Sequence, residues 1–219
     1  MAKVTLPDGS TLEVTDGTTA QQLAEQIGPG LAKSAVAAKV NGQIVDLSTP
    51  INGEADVQII TLKDDQGLEI MRHSCAHVMA EAICSIWPDT KLVYGPTVED
   101  GFYYDIDLDE PIRPTDFERI EEKMAEIIKA DEPFVRKEMT RAEALAKLAG
   151  DKYKTDNISH TDSDVISFYT HADGFEDLCR GPHVPSTAKV GSFKIMSVAG
   201  AYWHGDPTQK MLQRVYGTA

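Results

Sequence analysis

Cysteine is scarce in this chain: three residues in 219, at positions 75, 84 and 179. With no paired spacing they exclude a disulfide framework and fit a reducing cytosol. Long apolar runs are missing too. The longest, such as Ser34 to Val40, fall far short of the roughly 20 residues a membrane-crossing helix needs. Met1-Ala2-Lys3-Val4-Thr5 opens no apolar stretch ahead of a cleavage site, so no secretory signal is expected. The expectation is a cytoplasmic chain with no membrane contact. Basic residues are the minority, 21 Lys and Arg against 35 Asp and Glu, for a net charge of −14. That balance weighs against a free-standing nucleic-acid binder, because phosphate contacts need cations. It leaves room for a domain that touches one end of an RNA held elsewhere. Gly28-Pro29-Gly30 lacks the Gly-Lys-Ser/Thr that would make it a phosphate loop. The remaining composition, 42% hydrophobic and 26% charged, is that of an ordinary globular protein.

Two blocks are present. The first, residues 1–62, reads β-β-α-β-β-β. Lys3–Leu6 and Thr11–Val14 flank the turn Pro7-Asp8-Gly9-Ser10. Thr18 or Thr19 caps a helix with Leu23, Ala24 and Ile27 on its apolar face. Asn41-Gly42 is a hairpin turn between strands Ala35–Val40 and Gln43–Leu47, and Asp56–Thr61 is the last strand. Leu62 to Gly67 is polar and reads as a linker. The second block, residues 63–219, is mixed α and β. It opens with a helix over Leu68–Trp87 that ends at Pro88. Strands are expected over Lys91–Tyr94, Phe102–Ile106, Phe134–Met139, Val165–Tyr169, Phe193–Ala199 and Met211–Tyr216. Capping boxes at Thr115–Glu118 and Thr140–Glu143 open two further helices. The fold class is therefore α+β. The chain stops at Tyr216-Gly217-Thr218-Ala219 without a polar tail, as expected of a cut at a domain boundary in a longer protein.

The chemistry is concentrated in two short motifs. His73-Ser74-Cys75-Ala76-His77 places two histidines at i and i+4 of the expected helix, on one face. Cys179-Arg180-Gly181-Pro182-His183 repeats the interval about a hundred residues later. Three histidines and a cysteine are a zinc ligand set, and equally a set of hydrogen-bonded polar groups lining a cleft. Cys179 with His183 as base is a third arrangement. Asp177, two residues before Cys179 on an extended segment, shares its side. Taken alone, Lys154 reads as a solvated lysine in a polar stretch, the aromatic run Phe102-Tyr103-Tyr104 as core, and Cys75 and Cys84 as small apolar residues. His160 and His171 have no evident partner.

Several segments together resemble the N-terminal region of bacterial threonyl-tRNA synthetases. They are Thr5–Ser10, Ile27–Lys33, Arg72–His77, Gly101–Asp105, Leu178–Pro185, Gly200–Trp203 and Lys210–Ala219. Asp107 to Asp162 is the least familiar stretch. The resemblance implies a β-grasp TGS domain followed by an editing domain that hydrolyses seryl-tRNA(Thr). The class II aminoacylation core and anticodon-binding domain would lie beyond Ala219, so this chain should not activate threonine. It places His73, His77 and Lys154 in catalysis. Asp177, Cys179 and His183 would hold the substrate, with Tyr104 and Arg180 beside them. It implies no cofactor and no essential metal, and as partners the serine-bearing 3′ end of tRNA(Thr) and the remaining synthetase domains. A zinc-dependent hydrolase editing in trans, and an RNA-binding regulatory module without catalysis, are the competing expectations.

Overall fold

A computed structural model describes residues 1–171 and 174–219. The chain divides into two compact units. One comprises Met1–Met71 with Gly181–Pro185, the other Arg72–Arg180 with Ser186–Ala219.

In the first unit the strands are β1 (Ala2–Thr5), β2 (Thr11–Val14), β3 (Thr18–Thr19), β4 (Ala35–Val40), β5 (Gln43–Val45), β6 (Pro50–Ile51) and β7 (Glu54–Thr61). Two helices, α1 (Ala20–Ile27) and α2 (Pro29–Ser34), lie between β3 and β4. The main sheet has the order β2-β1-β7-β4-β5, with β1 and β7 parallel and the other pairs antiparallel. Alternation sets its inner face: Val4, Val14, Ala38, Ala55 and Val57 pack with Ala20, Leu23 and Ala24 of α1 in one buried cluster. This is a sheet gripping a helix. Thr19 caps α1 through a reciprocal box with Gln22. Asn41 and Gly42 both take positive φ, 49° and 84°, as the expected two-residue turn requires. The helix α2 departs from expectation. Gly28 ends α1, but Pro29 at the first helical position starts another turn instead of a loop.

The helix α3 (Asp65–Ile86) starts three residues earlier than its apolar pattern predicts. The expected linker supplies its first turn: the N–H groups of Gly67 and Leu68 donate to the Asp64 carbonyl. Its turns through Met71 group with the first unit and the remainder with the second. Within the second unit, Ser74–Ala80 is buried without interruption. A helix covered all round lies at the centre of its domain.

Around it run β8 (Lys91–Tyr94), β9 (Thr97–Val98), β10 (Gly101–Asp107), α4 (Phe117–Ala130), β11 (Val135–Thr140), α5 (Arg141–Lys147), α6 (Lys152–Ser159), β12 (Val165–Thr170), β13 (Glu176–Leu178), β14 (Lys194–Tyr202) and β15 (Met211–Thr218). They form an antiparallel sheet β14-β15-β10-β8, with β9 on β10, and a three-stranded sheet β11-β12-β13. Thr140 and Glu143 make their box. Thr115 and Glu118 do not. Pro114 opens a short 3-10 turn ahead of α4, and the Asp116 carboxylate accepts from the Arg113 N–H at 2.7 Å, taking over the capping role. The helix α6 is absent from the periodicity reading, because its polar sequence Lys-Tyr-Lys-Thr-Asp-Asn carries no apolar stripe.

Candidate active site

Helix α3 supplies the first pair. His73 and His77 stack edge to face with ring centroids 5.2 Å apart, as the i, i+4 spacing dictates. Strand β12 sets the third member through the segment after β13. The Cys179 N–H donates to the Ser167 carbonyl at 3.1 Å, and Ser167 Oγ donates to the Cys179 carbonyl at 2.6 Å. Arg136 of β11 adds a 2.6 Å bond from its guanidinium to the Arg180 carbonyl. Cys179 Sγ is thereby held 3.3 Å from His73 Nε2.

A second group abuts the first. Asp151 caps α6, its Oδ1 accepting from the N–H groups of Tyr153 and Lys154 at 3.0 Å each. Tyr153 packs edge to face on Trp203. The cap and this packing turn Lys154 inward, where only 5% of it is exposed. The reading of Lys154 as a solvated lysine is thus corrected: a capped helix that sequence periodicity cannot see buries it. Its Nζ lies 2.5 Å from Asp177 Oδ1. The Tyr104 hydroxyl donates to Asp177 Oδ2, and the Leu178 N–H donates to Oδ1 at 2.8 Å. Alternation along β13 explains the split between neighbours: Asp177 faces inward, while Glu176 pairs with Lys147. The Tyr104 ring lies 6.5 Å from that of His77, which sets the two groups side by side.

Electrostatics assigns the charge states. Burial pushes the Asp177 carboxyl upward, but Lys154, His77 and the hydrogen bonds from Lys154 and Tyr104 outweigh it and hold the group below the usual carboxylate range. Asp177 is therefore an anion at neutral pH. Burial, then the neighbouring His73, drives His77 well below the ordinary histidine value against the pull of Asp177. His77 is a neutral imidazole at pH 7, with one ring nitrogen able to accept. Burial and the Asp177 carboxylate push the Tyr104 phenol well above its usual value, so it remains a donor. Burial likewise raises the Cys84 thiol to about 12 and Cys75 further still, in keeping with packed, inert thiols.

Of the other expected residues, Arg180 falls outside this group. Arg180 is exposed, and its guanidinium donates to Thr161 Oγ1 at 3.0 Å on the surface. His183 lies in Gly181–Pro185, which groups with the first unit; it is buried, and its N–H donates to Asp46 Oδ1 at 2.9 Å. As metal donors, the ligand atoms of His73, His77 and Cys179 lie within 4.8 Å of one another. That chemistry suits zinc. Cys179 Sγ and His73 Nε2, 3.3 Å apart, already stand at a separation that tetrahedral bonds of about 2.0–2.3 Å impose. One contributor went unread in the sequence: Gly95. A Cβ there would meet the Tyr104 ring at 2.4 Å, so the absence of a side chain is what lets that ring lie flat against the backbone.

Residues 2–61 match the family described as TGS domain, and residues 166–216 the family described as Threonyl and Alanyl tRNA synthetase second additional domain. Over its full length the chain is 52% identical to the threonine–tRNA ligase of Desulfatibacillum aliphaticivorans and 49% identical to threonine–tRNA ligase 1 of Bacillus subtilis strain 168. It carries the TGS and editing domains of the threonyl-tRNA synthetase family. The threonine–tRNA ligase of Hahella chejuensis is 50% identical, again across the whole chain. This chain of the threonyl-tRNA synthetase family spans about a third of the length of these curated relatives, 34–35%. No described helix is long and apolar enough to cross a membrane.

Proposed function

We propose that the second unit is a proofreading site that hydrolyses the ester of seryl-tRNA(Thr) in the cytoplasm. The observation that carries this reading is the buried Lys154–Asp177–Tyr104 cluster set against the neutral ring of His77. A domain boundary between residues 62 and 71 then separates the TGS domain from the editing domain.

Chemical need supports the assignment. Threonine exceeds serine by one methyl, and a binding pocket gains only about 1–3 kcal/mol from such a group, so a second sieve is required. The buried side chains of Tyr104, His77 and the Lys154–Asp177 pair would wall a pocket that excludes by size. In the hydrolysis, a water oxygen attacks the ester carbonyl and the bond to the ribose oxygen breaks. The water proton passes to a histidine and then to the leaving ribose oxygen, which departs as a hydroxyl. An ammonium has three N–H groups. With one directed at Asp177, Lys154 keeps donors for the oxyanion or the attacking water. Neutral His77 offers an acceptor to that water, and His73 serves the proton relay beside the ribose. Asp177 is already neutralised by Lys154, and the seryl α-amino group would be its second cation. Cys179 shapes the wall.

The acidic chain leaves phosphate binding to the rest of the synthetase, so this fragment should deacylate with a high Michaelis constant relative to the full enzyme. The direct test follows loss of labelled serine from seryl-tRNA(Thr). His73→Ala should lower the rate about 100-fold or more, the usual contribution of a general acid–base group. An unchanged rate would remove His73 from the chemistry. The donors of His73, His77 and Cys179 also favour a zinc-dependent reading. Metal analysis of the purified chain and deacylation after chelation separate the two. The metal-free account predicts full activity after chelation, and proportional loss of zinc and activity contradicts it.

A further inference from the structure

The histidine stripe of α3 continues by one more helical interval. Residues 73, 77 and 81 stand at i, i+4 and i+8, on one face, and the third is Glu81. Its side chain is largely buried. Against it lies His171, just after β12, with a fully buried side chain: Glu81 Oε2 and His171 Nδ1 are 2.8 Å apart. The His171 ring rests against Phe134 at 4.5 Å and Phe175 at 4.8 Å between centroids. On the pocket side it faces the His77 ring at 6.4 Å, and Phe175 meets His77 edge-on at the same separation. His77 is thus backed by a ring that stands against the buried Glu81 carboxylate.

A core of this size has no need of a carboxylate and an imidazole. Burying either costs several kcal/mol unless the other compensates, and a pair of apolar residues would fill the same space. The hydrolysis described above uses neither group. What such a pair can supply is orientation, since the use of an imidazole depends on what fixes its ring from the far side. The geometry points to Glu81 and His171 as a positioning pair that sets the ring of His77 for the reaction. Its kinetic consequence rests on the hydrolytic reading; its structural consequence does not.

The test uses Glu81→Gln, which keeps the shape and removes the charge, and His171→Asn, with two readouts. The first is the His77 Cε1–Hε1 resonance at fixed pH, with exposed His160 as internal control. The second is kcat and KM for seryl-tRNA(Thr), measured where thermal unfolding shows both variants folded. The expected result is a displaced His77 resonance, an undisturbed His160, kcat lowered about tenfold and KM within twofold. If His171→Asn does not fold, Glu81→Gln alone carries the test. A His77 resonance left in place overturns the inference, and so does a displaced resonance with wild-type kcat. If the wild-type chain itself fails to deacylate, a displaced resonance retains the pair and removes the hydrolytic reading beneath it.

Discussion

Replacing Lys154 by methionine removes one member of a buried ion pair and strands the other. Asp177 is 2% exposed, with Lys154 2.5 Å away and the Tyr104 hydroxyl and Leu178 N–H as its remaining donors. Breaking a buried pair from one side costs about 3–5 kcal/mol, because the surviving charge is left without compensation. In a domain of about 150 residues, 1 kcal/mol moves Tm by roughly 2–4 °C, so Lys154→Met should lower the transition of the editing unit by about 6–20 °C. Removing both charges is a different perturbation. Lys154→Met combined with Asp177→Leu leaves no stranded ion, and replacement of such pairs by apolar residues is often near neutral. The double variant should therefore be more stable than Lys154→Met alone, a coupling of about 2 kcal/mol or more in a double-mutant cycle. Scanning calorimetry suits the assay, because it reports every unfolding transition of a chain with two compact units. The two domains must not be forced into one two-state fit. A Lys154→Met transition within 2 °C of wild type, or additive single and double variants, would refute the reasoning. Lys154 and Asp177 would then not be the closed pair described.

Further outcomes follow from the same site. Gly95→Ala should displace the Tyr104 ring, which a Cβ would approach to 2.4 Å, and reduce deacylation about 10- to 100-fold while the TGS transition stays put; wild-type turnover would show that the ring moves freely. The buried, neutral His77 also gives stability a pH dependence. Its folded-state value is depressed below the ordinary 6.5, so the unfolded chain takes up a proton that the native chain refuses. Its contribution is complete above about pH 6.5 and falls as pH drops below it, by at most about 1.4 kcal/mol per pH unit. His77→Asn should flatten that limb of the Tm–pH curve. An unchanged limb would place the titration elsewhere, and Asp177 is separated from it because its own depressed value acts only below about pH 3.8.

Much of the fold was legible because local rules agreed with it. The Asn41-Gly42 turn, the caps at Thr19 and Thr140, and the alternation of β1, β2 and β4 each carry their structure in a few neighbouring residues. Where two local signals competed, the sequence misled. Thr115 and Glu118 match a capping box, but Pro114 and Asp116 had already set the entry to α4. Of the site, the pairing of His73 with His77 was readable from helical spacing, and the inward face of Asp177 from strand alternation. Lys154 was not readable from its surroundings, because the depth of a lysine on a short polar helix depends on what the far side of that helix packs against. Here it is Tyr153 on Trp203, fifty residues apart in sequence. Only the family resemblance grouped Lys154 with Asp177 and the histidines. Gly95 and His171 are tertiary facts with no local signature. Glu81 had one, the next step of the i, i+4 stripe.

The central claim is a sieve, and it is tested most directly by presenting this chain with seryl-tRNA(Thr) and threonyl-tRNA(Thr) side by side and following ester loss from each at matched concentration. The account predicts serine release at least about 100-fold faster than threonine release, with the difference abolished along with activity in His73→Ala. Equal release of both amino acids, or release from neither, would contradict it.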